Sequence, residues 1–281
     1  MKLLKTLFLK QAYFPKSSDL TVVSTDSPDS FSKNNQKNLY FLLEKRYIWM
    51  NKWINKTAQG IEVGSGSGLS KLFIKSDNYL LTDVERNNQI DLQVDAMKLP
   101  FPNESLDFII SSNMIHHLSK PSLFFKECER VLKPEGVILI QEVYGSFFFR
   151  LILRMFRHEG YNFDIDPFDE NSVCTGSSDK KSGNNVIPNI LFKDMQNFER
   201  HFNFKCRYKK YREFTIFMLS GGVIKKILTV NLPRFILNLF SQVDKVLIKI
   251  SKDLFAVQIQ IVLQVNNPGS ETENFKRAVS D

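Results

Sequence analysis

Residues 60–68 read G-I-E-V-G-S-G-S-G, which gathers four of the chain's 12 glycines into one short stretch. Gly64, Gly66 and Gly68 alternate with Ser65 and Ser67 directly behind an apolar run. A glycine loop between a strand and a helix lets a ligand lie against bare backbone amides, where β-carbons would block the approach or forbid the turn. Asp83 closes the next apolar run, L-L-T-D, 19 positions after Gly64. A carboxylate there can accept hydrogen bonds from both hydroxyls of a ribose, the role an acid at this spacing plays in nucleotide-binding folds. The alternative is a helix cap or a solvated strand end. The loop spacing is G-x-G-x-G, and Leu69 follows it rather than the later glycine of a pyrophosphate-binding loop. Glu62 lies inside the strand before the loop, and its negative charge suits a cationic ligand better than a pyrophosphate.

A second set of residues could move protons. His116 and His117 are adjacent and make up two of only 4 histidines. His158 stands beside Glu159, and Glu142 lies near the end of another apolar run. A positioned base contributes roughly 10²–10⁴-fold to a rate. Against that role, one of the paired histidines could pack on the following helix while the other faces solvent, and His158-Glu159 could be a helix-end charge pair. No His/Cys/Asp group has metal-ligand spacing, so no metal is expected. Cys128, Cys174 and Cys206 are isolated, which argues against a disulfide framework and for a reducing compartment.

The elements that must position these residues alternate between strand and helix. Residues 61–63 form a short strand, and 67–74 begin a helix. Strands are expected at 78–83, 90–95, 106–113 and 136–143. The 106–113 run is nearly all apolar before its polar end, as suits a central parallel strand covered on both faces. A helix over 120–132 carries Pro121 in its first turn and Phe124, Cys128 and Val131 on one face, and ends at Pro134 and Gly136. An amphipathic helix at 39–54 leads into this unit. Farther on, a helix at 191–202 precedes strands at 204–214 and 255–264. The last strand alternates apolar residues with Gln, as a sheet-edge strand or hairpin arm would. Repeated strand–helix units imply a doubly wound α/β fold.

Taken in order, I-E-V-G-S-G-S-G, L-L-T-D, V-D-A-M-K-L-P-F-P-N-E-S-L-D-F-I-I-S-S-N-M-I-H-H-L and C-E-R-V-L-K-P-E-G-V-I-L-I span residues 60–143. This series resembles the class I S-adenosylmethionine-dependent methyltransferases, and most closely their type 11 small-molecule branch. The resemblance implies a mostly parallel, seven-stranded Rossmann-like sheet with an antiparallel last strand and helical insertions. It implies S-adenosylmethionine as cofactor. Gly64, Ser65, Gly66 and Gly68 would line its methionine and ribose portions, with Glu62 near the amino group or holding the loop. Asp83 would take the ribose hydroxyls, and Asp95 the adenine amino group. Ala96 and Met97 would border the ring, and Ser112 and Asn113 would face the methionine. Asp83 and Asp95 are only 12 apart, so the second crossover is expected to be a loop, and the shares of Val84 and Glu85 in the ribose and ring contacts stay open. His116, His117 and His158 are the candidate catalytic bases.

The chain has 281 residues and a formal net charge of +8. Residues 1–38 read as an extension and polar connector. Residues 39–265 read as the methyltransferase domain, with insertions at about 144–190 and 215–254, and 266–281 as a polar tail. The N-terminus lacks the uninterrupted apolar core of a signal peptide, and no run reaches the ~18 apolar residues of a membrane span. The stretches 146–158 and 223–252 are apolar with basic stripes. They either cover the sheet and active site or lie as a basic amphipathic pair on an anionic membrane. The expected location is cytoplasmic, with peripheral contact on the inner membrane face as the second reading. The arrangement of insertions resembles methyltransferases associated with glycan and cell-envelope pathways, which implies a small-molecule, sugar or lipid-linked glycan acceptor and O-methylation. C- or O-methylation of a quinone or isoprenoid, and a non-catalytic peripheral membrane protein, are the competing readings. A nucleic-acid substrate is disfavoured, because S-N-M-I stands where an N-P-P-Y or D-P-P-Y base-binding sequence would.

Overall fold

The computed structural model describes residues 36–156, 159–175, 183–221 and 229–266. The strands are β1 (Gly60–Val63), β2 (Tyr79–Asp83), β3 (Leu92–Gln93), β4 (Leu106–Ser112), β5 (Leu132–Val143), β6 (Phe204–Arg212) and β7 (Gln258–Val265). They form one sheet in the order β3-β2-β1-β4-β5-β7-β6. Strands β1 to β5 pair in parallel, and β7 runs antiparallel between β5 and β6. The order reverses between β1 and β4, and open α/β sheets hold their ligands outside the carboxyl ends of the strands at such a point. Gly64, Asp83, Asn113 and Glu142 all sit at that edge.

The helices are α1 (Lys37–Tyr47), α2 (Pro121–Val131), α3 (Phe147–Phe156), α4 (Ile187–Lys193), α5 (Met195–His201), α6 (Thr215–Leu219), α7 (Arg234–Ile250) and α8 (Lys252–Phe255). In the middle of β4 and β5, Ile109, Ile110, Ile138, Leu139 and Ile140 have no exposed surface, as a doubly covered parallel pair requires. Helix α2 starts with proline, where the missing N–H costs nothing, and buries Phe124, Phe125, Cys128 and Val131. The Phe125 ring lies 6.2 Å from Phe192 and 5.0 Å from both Phe198 and Phe202. That aromatic cluster fastens α4 and α5 to the sheet.

Several elements differ from the sequence expectation. Residues 67–74 make only one 3₁₀ turn, Leu69–Leu72. Gly68 holds φ 71°, the Ser70 hydroxyl is drawn to Glu62, and Phe73 and Ile74 turn straight into the core. The expected helix at 39–54 stops at Tyr47 and continues as a 3₁₀ turn over Ile48–Lys52. The helix expected at 191–202 begins at Ile187 and breaks at Asp194. The Asp194 side chain accepts from the amides of Gln196 (3.0 Å) and Asn197 (3.2 Å) and so starts a new helix. Strand β7 is neither a sheet edge nor a hairpin arm: it lies between β5 and β6, with three helices separating it from β6 along the chain. Gln258 and Gln260 are buried and hydrogen-bond Gln141 of β5 at 2.8 and 3.0 Å, so the alternation marks a buried amide ladder rather than solvent. The second crossover, residues 84–91, is a loop as expected.

The late helices lean on α1. Arg46 of α1 grips Glu213 with Nε at 3.0 Å and Nη2 at 2.6 Å, both side chains being buried. Glu213 follows β6 with φ 61°. Burial pushes its carboxyl up and Arg46 pulls it back. Asp244, buried in α7, accepts from the amides of Phe214 (3.1 Å) and Thr215 (2.7 Å) at the start of α6. Arg46→Ala strands the Glu213 carboxylate in the interior. It is expected to lower unfolding stability by about 3–5 kcal/mol, read from urea denaturation midpoints. A loss under about 1 kcal/mol would show that the pair is not buried in solution.

Candidate functional site

The glycine loop is shaped by its backbone. Gly64, Gly66 and Gly68 have φ of 67°, 53° and 71°, a region that L side chains rarely adopt. They differ in what a β-carbon would meet. At Gly64 it would come within 2.3 Å of Met114 Cγ, and at Gly68 within 2.9 Å of Leu81 Cδ1. At Gly66 it would meet nothing within 4 Å. Two of the glycines are therefore needed by the fold, and the third borders open space that only its lack of a side chain leaves free. Ser65 ties the loop down, because its hydroxyl donates to the carbonyls of Glu62 or Thr82 (3.0 and 3.1 Å) and accepts from Thr82 N (3.0 Å).

Asp83, at the tip of β2, faces this loop. Its Oδ2 accepts from Gly66 N and its Oδ1 from Glu85 N, each at 2.9 Å. Each oxygen keeps a lone pair for a further donor. Asn87 closes the loop from the other side by donating to Gly66 O at 3.0 Å. Val84 is exposed, and its carbonyl accepts from Gln93. Beyond β3, Asp95 is exposed and accepts from Met97 N at 2.9 Å, while Ala96 is buried and Met97 half-buried. Ser112 and Asn113 are half-buried at the end of β4. Asn113 adopts φ 51°, and its amide lies 2.9 Å from Gln258, the end of the buried glutamine ladder. An adenosyl ligand would fit these groups: a side-chain-free cradle at Gly66 and a carboxylate with spare lone pairs beside it.

Glu62 does not face this space. It is 1% exposed, accepts from Ser70 Oγ and lies 3.4 Å from the Tyr47 hydroxyl, so it holds the loop from within. Burial pushes its carboxyl up to about 7, against the pull of the Ser70 and Tyr47 hydroxyls.

Met114 leads from the cradle to a second cluster. His116 is buried on the 3₁₀ turn Ile115–His117, with Nδ1 2.6 Å from Glu142 Oε1. Glu142, fully buried near the end of β5, also accepts from Ile115 N (2.7 Å) and Val143 N (2.8 Å). His116 Nε2 lies 3.4 Å from Glu159 Oε2, and His117 Nε2 lies 3.6 Å from Glu159 Oε1. Burial alone would lower the His116 pKa, but Glu142 and Glu159 outweigh it and lift it to about 10. Sequence reasoning named His116, His117 and Glu142 separately but did not join them to Glu159, which reaches the cluster from the insertion. Asn184 N donates to His116 O (2.7 Å) and Asn185 Nδ2 to Glu159 Oε2 (3.0 Å), so the returning insertion seals the group. His158 lies outside the described residues.

The raised carboxyl of Glu62 has a consequence for stability. The folded protein keeps a proton there up to about 7, whereas the unfolded chain releases it near 4.5, so stability falls as pH rises through that interval. Glu62→Gln keeps an acceptor for Ser70 and removes the titration. It is expected to flatten the fall, by roughly 3 kcal/mol at most, in thermal melts recorded across the interval. An unchanged pH slope would assign the proton elsewhere.

Residues 61–140 match the family model of a methyltransferase domain. Among solved structures, a SAM-dependent methyltransferase from Archaeoglobus fulgidus superposes with a TM-score of 0.50 at 14% identity, covering 83% of this chain and 97% of that one, which is a likeness of fold. A highly reducing polyketide synthase from Aspergillus nomiae is 36% identical over 53 residues, and fusarielin synthase from Gibberella zeae is 22% identical over 158. These stretches are 19% and 44% of this chain but only 2% and 6% of those much longer proteins. With the glycine cradle, the strand-tip carboxylate and the seven-stranded order in place, residues 61–140 carry a methyltransferase domain of the type 11 branch, set in the fold of S-adenosylmethionine-dependent methyltransferases.

Proposed function

We propose that this protein methylates a hydroxyl of a small-molecule, sugar or lipid-linked acceptor, and that it works against an anionic membrane surface. The observation that carries the enzymatic reading is the juxtaposition of the open Gly66 cradle and, one short loop away, the His116, His117, Glu142 and Glu159 cluster. S-adenosylmethionine brings a methyl group already activated on a sulfonium. The chain must therefore align it, exclude water and handle the acceptor's proton. Gly66, Asp83, Ala96 and Met97 are the residues that would hold the adenosyl part, and Asn113 would border the methionine part. His117 and Glu159 are the less buried members of the second cluster and form its acceptor side, where a hydroxyl proton would leave. Inward of them, Glu142 fixes the His116 ring.

The membrane reading is supported by α7. Phe235, Leu239, Val243, Val246 and Ile250 follow helical spacing along one stripe and are all exposed, Phe235 by 73% and Ile250 by 70%. Asn238, Gln242, Lys245 and Lys249 line its flank, also exposed. An apolar stripe flanked by lysines suits a helix lying in the plane of anionic headgroups. No helix among the described residues is long and apolar enough to cross a membrane. For the stretch 146–158 the structure bears on Arg150. That side chain is half-buried and bonds Gly145 O instead of facing outward with Arg154. Helix α3 buries Phe149 and Leu153 and exposes Leu151 and Met155, so its inner face covers the domain.

The full chain is expected to float with vesicles containing phosphatidylglycerol and to remain behind with neutral ones, and Leu239→Glu with Val246→Glu is expected to abolish flotation. Retention of flotation in that variant would remove α7 as the contact. Methyl-labelled cofactor incubated with lipid and glycan extracts is expected to label an acceptor, and a chain that binds cofactor but labels no extract would favour a non-catalytic role. Asp83→Ala is expected to weaken S-adenosylhomocysteine binding more than 100-fold by calorimetry. Two charge-assisted hydrogen bonds of roughly 1.5–3 kcal/mol each are lost. Unchanged affinity would reject Asp83 as the ribose contact.

A further inference from the structure

His116, His117 and Glu159 bring one donor atom each to within 4.8 Å of one another. We propose that they bind one divalent cation of the zinc class beside the acceptor.

The spacing supports this. Around a tetrahedral cation with bonds of about 2.0–2.1 Å, neighbouring ligand atoms stand roughly 3.3 Å apart. His116 Nε2 and Glu159 Oε2 are 3.4 Å apart, and His117 Nε2 and Glu159 Oε1 are 3.6 Å apart. The surroundings supply a second, independent observation. A metal-bound imidazole characteristically hands its other nitrogen to a carboxylate, which fixes the ring and its tautomer. Glu142 does this for His116 Nδ1 at 2.6 Å, and is itself fixed by the amides of Ile115 and Val143. Asn185 steadies Glu159 in the same way, at 3.0 Å. A carboxylate stands behind the inner histidine and an amide behind the acid, and the two histidines address the two oxygens of one carboxylate, with one ligand atom from each residue inside a span of 4.8 Å.

The donor set narrows the cation. Magnesium and calcium take oxygen ligands, whereas two imidazoles and one carboxylate suit zinc and its neighbours. Three protein ligands leave a fourth position open, which is how catalytic rather than structural zinc sites are built. His117 and Glu159 are the more exposed members, so the open position lies on the side that an acceptor approaches. A hydroxyl placed there would lose its proton to solvent more readily than a free one. That use of the cation rests on the methyltransferase reading, but its binding does not.

The test uses the full chain, freed of metal with a chelator. Titration with zinc chloride by calorimetry is expected to show one equivalent per chain. Cobalt(II) is expected to give the intense visible absorption of a tetrahedral site with nitrogen and oxygen ligands. His117→Ala and Glu159→Gln should each abolish that absorption, and Glu142→Gln should weaken zinc affinity 10–100-fold. Glu159→Gln preserves shape at a partly exposed position, so the test stands even if the histidine variant folds poorly. No stoichiometric uptake by the wild-type chain would overturn the site, as would uptake unchanged in both ligand variants or a cobalt–thiolate spectrum. S-adenosylhomocysteine affinity, measured on the same preparations, reports the cradle separately. Loss of the metal proposal with cofactor binding intact leaves the methyltransferase reading in place, and the reverse result leaves the metal site.

Discussion

A carboxylate buried at the end of a parallel strand cannot be left alone, because removing a charge from water costs several kcal/mol unless donors or opposite charge replace the solvent. Glu142 meets that condition with two backbone amides and one imidazole, and in doing so it dictates the path of the chain after β4. The amide of Ile115 must point at it, so the backbone tightens into a 3₁₀ turn and both histidines emerge together. Glu62 meets the same condition on β1 by another route, with hydroxyls and a retained proton. One strand tip thus fixes the floor of the cradle and another fixes the second cluster, and Met114, packed against Gly64, keeps the two in register.

The strands and the glycine cradle were legible because their causes are local. A run such as L-D-F-I-I-S-S can be satisfied only between two covered faces, and alternating glycines followed by a strand-tip acid leave few other purposes. The helix after the loop was not legible, because S-G-L-S-K-L-F-I has acceptable helical periodicity. In the structure Ser70 bonds back to Glu62 while Phe73 and Ile74 turn into the core, contacts visible only once β1 is in place. The glutamines of β7 misled for a similar reason. Period-2 polarity marks solvent when one face is wet, but here amides from two strands satisfy one another in the interior. Glu159 could not be joined to His116 and His117 in advance, since its position depends on where the insertion returns.

Asn184 and Asn185 are buried, and their amides and side chains bond to the His116 carbonyl, the Gly160 carbonyl and Glu159. Gly183 passes so close to the imidazoles that a β-carbon would stand 2.7 Å from His116 Cδ2. The insertion is therefore built around the cluster rather than laid over it. The aromatic packing of Phe125, Phe192 and Phe198 then continues the chain back to the sheet. Polar contacts fasten the described part of the insertion both at the site and away from it, where Lys126 pairs with Glu170 and the Cys174 amide donates to the Ser119 carbonyl at 2.8 Å.

The shortness of the turn Leu69–Leu72 has an electrostatic outcome. Phosphate-binding loops gain much of their grip from the aligned peptide dipoles of a long helix behind them. A single 3₁₀ turn has almost none of that alignment to offer, and the Asp83 carboxylate already occupies the Gly66 amide. A phosphate chain at this mouth would therefore meet no positive helix pole and would stand beside the Asp83 carboxylate.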